Sequence, residues 1–140
     1  MLTRVGVPVE SNAEPAAPGS DRPALLCFSH LRWDFVFQRP QHLMSRFAEK
    51  MSVLYWEEPM EIGPRETAFL KVREAEDFPG VRILVPHLPE GMSEERREET
   101  LKRLLDAHVS TVKGQLIAWY YTPMMLTFSR HLESDAIVYD

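Results

Sequence analysis

Short apolar runs alternate with amphipathic helical segments along this chain, and that alternation limits the fold more than any other feature of the sequence. Residues 24–29 form a continuous apolar run that ends in polar side chains, as expected of a strand buried on both faces. Helical spacing of apolar residues follows over about 40–50, and residues 53–56 give a second strand. Strand, helix and strand in this order predict a βαβ unit with parallel pairing.

Further strands and helices are predicted downstream. The strands fall at residues 81–85, 116–121 and 136–139, with a weaker one at 68–72. Ser93 is an N-cap candidate for a helix up to residue 114, and Thr122 for a shorter one over 123–132. We therefore expect the α/β class, with a Rossmann-like parallel sheet and helices on both faces. Because the last predicted strand runs up to Asp140 with no helix to cover it, we expect an incomplete sheet.

The first 23 residues differ in composition from the rest of the chain. They contain four prolines together with Gly, Ser and Ala, and they offer little apolar surface to bury, so we predict a flexible leader over residues 1–23. The chain has 140 residues and is 44% hydrophobic, which is enough for one core and too little for two domains. Residues 24–140 are therefore expected to form one partial domain.

Charge and composition argue against several functional classes. The formal net charge is −5 and the basic residues are scattered, so we expect no nucleic-acid partner. No window approaches the ~18–20 apolar residues of a membrane span, and the first residues lack the positive stretch and apolar run typical of a secretory signal. The single cysteine, Cys27, lies in an apolar run, fits a core thiol and agrees with a reducing cytoplasm. We expect a cytoplasmic protein, and contact with the inner membrane surface through one patch is compatible with these features.

Candidate site residues come from the ends of the predicted strands. In open parallel sheets, ligands bind beyond the carboxyl ends of the strands, where loops and helix N-termini converge. The residues at these ends are mostly polar or aromatic: Ser29 and His30, Glu57 and Glu58, Pro86 and His87, Tyr120 to Thr122, and Tyr139 with Asp140. Glu57 and Glu58 could pair as acid and base, but adjacent strand residues point to opposite faces, which favours separate positions.

Residues 29–42 combine hydrogen-bonding side chains with Trp33, Phe35 and Phe37. This mixture is typical of a saccharide site, because aromatic faces cover the C–H patches of a sugar while polar side chains bond its hydroxyls. A loop packed by its own aromatic residues, with Arg39 paired to Asp34, explains the same pattern. Both interpretations stay open at this point.

Several chemical motifs are absent from the sequence. No Gly-x-Gly-x-x-Gly follows the first strand and there is no Walker lysine motif, which argues against a dinucleotide-binding domain and a P-loop enzyme. The five histidines lack metal-ligand spacing. We therefore predict no metal and no cofactor.

Five segments of the sequence carry a resemblance to a known family. They are Ser-His-Leu-Arg-Trp-Asp-Phe-Val-Phe-Gln-Arg-Pro-Gln-His at 29–42, Tyr-Trp-Glu-Glu-Pro at 55–59, Pro-His-Leu-Pro-Glu-Gly at 86–91, Trp-Tyr-Tyr-Thr-Pro-Met at 119–124 and Val-Tyr-Asp at 138–140. With these segments the chain resembles the start of bacterial glycosyltransferases of the GT-B type. The resemblance is to cell-surface polysaccharide enzymes, including those similar to teichuronic-acid synthesis enzymes, and it covers about residues 24–140.

The resemblance implies two Rossmann-like domains with the active site in the cleft between them, of which this chain is the N-terminal, acceptor-side part. The nucleotide-sugar donor would then bind only with a C-terminal domain that this sequence lacks, and a glycan or lipid-linked sugar would be the acceptor. We therefore expect the chain to be inactive by itself. The implied acceptor-binding residues are Trp33, Asp34, Gln38, Arg39, Gln41, Tyr121 and Thr122, and the implied catalytic residues are His30 and Asp140.

Two other hypotheses for the function of this chain are compatible with the sequence. The chain could be a non-catalytic module of flavodoxin-like shape that binds a glycan or a protein through the same strand ends. It could also be a remnant of a larger gene, in which case the sheet edge near residues 136–139 would promote association and poor solubility.

Overall fold

The computed structural model of this protein describes residues 22–34 and 39–140. The predicted leader therefore lies outside the described residues, apart from Arg22 and Pro23. The elements in chain order are β1 (Ala24–Phe28), α1 (Arg39–Phe47), β2 (Ser52–Trp56), β3 (Met60–Ile62), β4 (Phe69–Glu74), β5 (Val81–Pro89), α2 (Glu94–Val109), β6 (Leu116–Tyr120), a 3₁₀ turn (Pro123–Met125), α3 (Leu126–Ser129) and β7 (Ala136–Tyr139).

The seven strands form one mostly parallel sheet. The five parallel strands that span it lie in the order β5-β2-β1-β6-β7. Numbered along the chain, these strands have the order 3-2-1-4-5, which is the arrangement of Rossmann-like folds. The expected α/β class and the parallel sheet are therefore confirmed.

The long strand β5 organises one side of the sheet. On one edge it pairs first with β2 and then, from His87 to Pro89, with the short parallel strand β3. On the other edge it pairs antiparallel with β4. The prediction that this strand ends before Pro86 is wrong, and so is the placing of Pro86 and His87 at a strand end. Proline is tolerated here because Pro86 faces the interval between the last residue of β2 and the first of β3, where the neighbouring ladder is interrupted.

The helices are shorter than the sequence predicts. α2 begins at the expected cap, where the Ser93 hydroxyl accepts a hydrogen bond from the Arg96 N–H at 3.2 Å. It ends at Val109, five residues before Gly114, because the hydroxyls of Ser110 and Thr111 donate to the last helical carbonyls at 2.7 Å and compete with the helical pattern. The predicted helix over residues 123–132 is a 3₁₀ turn followed by the single-turn helix α3.

Alternate residues of β1, β2, β5 and β6 pack into two separate cores, one on each side of the sheet. On one side of the sheet, Leu25 and Val53 pack with Met44 of α1, and we call this side the α1 face. On the other side, Leu26 packs with Leu105 of α2 and with Phe128 of α3, and we call it the α2 face. The expected helices on both faces are therefore confirmed. Residues 57–80, all of which the structure describes, connect β2 to β5 with the strands β3 and β4 and without a helix.

Candidate functional site

The strand order changes direction between β1 and β6, and we call the carboxyl end of this strand pair the switch point. β1 pairs with β2 on one side and with β6 on the other. The chain leaves β1 towards α1 on the α1 face, whereas it leaves β6 towards the 3₁₀ turn and α3 on the α2 face. Connections that diverge in this way open a crevice, and open parallel sheets bind ligands there.

Four of the predicted site residues come together at the switch point. The last residues of β1, β6 and β7 are level with one another in the strand register. Beyond them, His30 lies two residues after β1, Tyr121 and Thr122 directly follow β6, and Asp140 follows β7. Three neighbouring strands span only about 10 Å. His30 and Asp140 are exposed, so an imidazole and a carboxylate border one short edge of the sheet.

Hydrogen bonds hold the backbone at this edge. The Tyr121 N–H donates to the Phe28 carbonyl at 2.9 Å, and the Asp140 N–H donates to the Tyr120 carbonyl at 3.0 Å, so the ladders continue past the strand ends. The Thr122 hydroxyl is buried and caps the 3₁₀ turn by accepting from the Met124 N–H at 3.2 Å. The geometry around Thr122 is therefore fixed in advance of any ligand.

The loop that carries His30 is anchored to the end of β2 by Glu57. Glu57 as a whole is only 3% exposed. Its Oε2 accepts a hydrogen bond from the Trp33 N–H at 2.7 Å, and its Oε1 pairs with the Arg32 guanidinium at 3.2 Å. The same guanidinium also donates to the Glu58 and Pro59 carbonyls. Glu57 and Glu58 therefore do not form an acid and base pair, since Glu57 is committed to the loop and Glu58 is exposed.

Trp33 and Gln41 lie beneath this loop. The Trp33 ring is buried and meets Tyr55 edge-on, with ring centroids 4.9 Å apart. Gln41 is fully buried, and its amide donates to the Trp33 carbonyl at 3.1 Å. The Tyr55 hydroxyl donates to the Leu31 carbonyl at 3.0 Å. That Trp33 and Gln41 contact an acceptor stays a prediction; in this structure both support the loop from inside.

The remaining predicted acceptor residues have different surroundings. Asp34 is exposed and forms an ion pair with Arg73 of β4, a partner that the sequence did not indicate. Gln38 lies outside the described residues, as do Phe35 and Phe37. Arg39 is the first residue of α1, and its side chain is not among those described.

The charge of Asp140 affects the pKa of a thiol buried in the sheet. Burial raises the pKa of the Cys27 thiol far above its ordinary value, and the Asp140 carboxylate raises it further. Cys27 belongs to the α1-face core, as expected of a core thiol.

Two further observations concern ligands and membranes. Within residues 22–34 and 39–140, no group of three or more His, Cys, Asp or Glu side chains is arranged to hold a metal ion. No helix in the same ranges has the length and apolar character needed to cross a membrane.

The sequence did not predict the three side chains that position the loop carrying His30, which are Glu57, Arg32 and Tyr55. The anchoring role of Glu57 carried a signal, because an acidic residue directly follows a strand of buried apolar residues. The contribution of Arg32 carried none, since its partners lie 25 to 27 residues away along the chain. Tyr55 looked like an ordinary strand residue, and only the packing reveals its hydroxyl at the loop.

Comparisons of this chain with protein-family models, with curated proteins and with solved structures gave no match. The Rossmann-like strand order and the cluster at the switch point therefore stand on the geometry alone.

Proposed function

We propose that this chain is the acceptor-side part of a glycosyltransferase that transfers a sugar from a nucleotide-sugar donor to a cell-surface polysaccharide or a related acceptor. The observation that supports it is the juxtaposition of His30, Tyr121, Thr122 and Asp140 at the switch point of a Rossmann-like sheet. The resemblance of residues 24–140 to GT-B glycosyltransferases supports the same assignment.

In this proposal the acceptor hydroxyl lies at the switch point. Its oxygen attacks the anomeric carbon of the donor sugar, the bond from that carbon to the nucleoside diphosphate breaks, and the hydroxyl proton passes to His30 or Asp140. Both side chains are exposed and border one edge, so either can reach an oxygen bound there. In this proposal a second Rossmann-like domain holds the donor, and this chain by itself is expected to bind acceptor without transferring sugar.

Acceptor affinity of the full chain tests this proposal. Binding of oligosaccharides is measured by calorimetry for the wild type, His30→Ala and Thr122→Val. We expect both substitutions to weaken binding, because one removes a polar side chain from the crevice and the other removes the cap of the turn beside it. His131→Gln is the matched control, since His131 pairs with Asp106 near the end of α2, away from the carboxyl ends of the strands. Equal affinities for all four proteins would contradict the proposal.

A non-catalytic glycan-binding module is the second candidate, and the same exposed edge supports it. Sugar transfer separates the two functions. Membranes that contain the donor-binding domain, prepared from cells that lack this chain, are supplied with labelled nucleotide sugar and with either wild-type chain or Asp140→Asn. The transferase proposal predicts that incorporation into polymer returns with the wild type and not with Asp140→Asn. Equal incorporation with both proteins would favour the binding module.

A further inference from the structure

A row of three side chains crosses the sheet on the α1 face, beyond the area that α1 covers. Met60 of β3 and Phe69 of β4 are both in register with His87 of β5. Ile83 belongs to the α1-face core, so His87, four residues further along the same strand, points to the same face. Met60 is 46% exposed and Phe69 is 45% exposed. The absence of a helix between β2 and β5 leaves this row accessible.

The rings in this row are held in a fixed arrangement. Phe69 and His87 are stacked with ring centroids 4.5 Å apart and planes 13° apart. The His87 Nδ1 lies 3.0 Å from the Val85 carbonyl oxygen. Because a carbonyl only accepts, Nδ1 must carry the hydrogen, and Nε2 of the neutral ring is left as an acceptor. Among the described residues, no hydrogen bond to Nε2 is found.

The charges on these three strands are divided between the two faces. On the α1 face the charged side chains of β3, β4 and β5 besides His87 are Lys71 and Arg73, and on the α2 face they are Glu61, Glu74 and Arg82. Arg73 pairs with Asp34, whereas Lys71 is exposed and has no ion pair with a described residue. Lys71 stands two residues from Phe69 on the same face, so a cation flanks the stacked rings in a chain whose net charge is −5.

We propose that this row is a second saccharide subsite, which binds a sugar ring bearing a negatively charged group. The C–H patches of the sugar pack on the exposed parts of Phe69 and Met60, which stand on either side of His87. A sugar hydroxyl donates to His87 Nε2 between them, and the carboxylate or phosphate pairs with Lys71. The charge complementarity of Lys71 selects an anionic sugar over a neutral one. The few apolar side chains and the fixed ring orientation suit one sugar ring better than a lipid surface.

The subsite is continuous with the switch point. The Arg32 guanidinium of the loop after β1 donates to the Pro59 carbonyl, directly before Met60, and Asp34 of that loop pairs with Arg73. From β1 to β4 the sheet spans about 14 Å, the width of three strand spacings. An acceptor oligosaccharide bound at the switch point reaches the row with its next units, and in this respect the inference rests on the proposed function.

Calorimetry with the full chain and defined saccharides tests the subsite. The probes are a hexuronic acid trisaccharide, the neutral hexose trisaccharide with the same linkages, and a hexose 6-phosphate. We expect Phe69→Ala to weaken binding of the acidic trisaccharide about tenfold. Lys71→Gln is expected to weaken the acidic trisaccharide about fivefold and to leave the neutral one unchanged. Whichever of the carboxylate and the phosphate probe depends more on Lys71 identifies the natural anion.

Two controls keep the test independent of folding. Val72→Ala removes an apolar side chain of the same strand that is 44% exposed on the opposite face, and it is expected to leave affinity unchanged. Phe69→Tyr retains the ring and is expected to retain binding.

The outcomes also separate this inference from the proposed function. If His30→Ala weakens binding while Phe69→Ala and Lys71→Gln do not, the subsite is refuted and the switch-point proposal stands. If only Phe69→Ala and Lys71→Gln weaken it, the subsite stands and the acceptor site at the switch point is refuted. Phe69-dependent binding to vesicles of phosphatidylcholine with phosphatidylglycerol, without saccharide binding, would replace the subsite by a membrane contact.

Discussion

Replacing Glu57 by Gln is expected to loosen the loop that carries His30. The substitution keeps the size of the side chain and one oxygen that can still accept from the Trp33 N–H, but it turns the other oxygen into an NH₂ group facing the Arg32 guanidinium. Hydrogen bonds to charged groups contribute about 1.5–3 kcal/mol, and losing one partner of a buried ion pair costs about 3–5 kcal/mol. The Glu57 side chain is 4% exposed, but that of Arg32 is 35% exposed and regains water, which lowers the cost. We therefore expect the free energy of unfolding to fall by about 2 kcal/mol.

Urea denaturation followed by tryptophan fluorescence measures this change, with the slope of the unfolding free energy against urea as a check on two-state behaviour. Glu58→Gln is the matched control, because Glu58 is exposed and contributes its main-chain carbonyl to the loop. We expect the control to lie within about 0.5 kcal/mol of the wild type. Unfolding free energies for Glu57→Gln and Glu58→Gln that agree within that margin would refute the anchoring role of Glu57.

Three further predictions concern a buried hydrogen-bonded pair and two groups with shifted pKa values. The Tyr120 hydroxyl lies 2.7 Å from the Ser129 hydroxyl, and Ser129→Ala removes that partner. We expect the free energy of unfolding measured in urea to fall by about 1–2 kcal/mol, and we expect the double variant with Tyr120→Phe to recover part of the loss. No recovery in the double variant would show that the two hydroxyls are not coupled. Desolvation and the nearby charge of Arg82 lower the pKa of His108 to about 4. Because the unfolded state therefore binds more protons between about pH 6.5 and 4, the free energy of unfolding should fall on acidification through that window, by on the order of 2 kcal/mol. His108→Gln should abolish this pH dependence, and an unchanged slope of unfolding free energy against pH would contradict the prediction. Burial raises the pKa of the Cys27 thiol, so this thiol ionises at lower pH in the unfolded state than in the folded state. The free energy of unfolding should therefore decline above about pH 9, by about 1.4 kcal/mol per pH unit. Cys27→Ala should reduce this slope, and an identical slope in the variant would count against the prediction.

The elements that bury a continuous apolar run could be predicted from the sequence. The strands β1, β2 and β6 match their predicted ranges to within one residue, because each needs an unbroken run of apolar side chains: β1 and β2 are buried on both faces, and β6 is buried on one face and half-buried on the other. The carboxyl-end rule then brought His30, Thr122 and Asp140 to one edge, since it depends only on strand direction.

Features that depend on partners distant in sequence could not be predicted. β3 is only three residues long and contains Glu61, so it exists because β5 offers it a pairing edge and not because of any local pattern. The end of β5 was misplaced for the same reason, since pairing with β3 outweighs the local preference of Pro86. The buried positions of Trp33 and Gln41 follow from the fold of the loop over Tyr55, which the composition of residues 29–42 does not reveal.

Chemical-shift mapping by NMR tests the central claim, that the switch point binds a saccharide acceptor, most directly. Uniformly ¹⁵N-labelled chain is titrated with an acidic oligosaccharide, and the backbone amide shifts are followed to saturation. We predict that the largest shifts fall on His30, Tyr121, Thr122 and Asp140, with a second group at Phe69 and His87. Shifts concentrated instead at the opposite edge, around Ser52 and Gly80, would contradict it, as would a spectrum that the saccharide leaves unchanged.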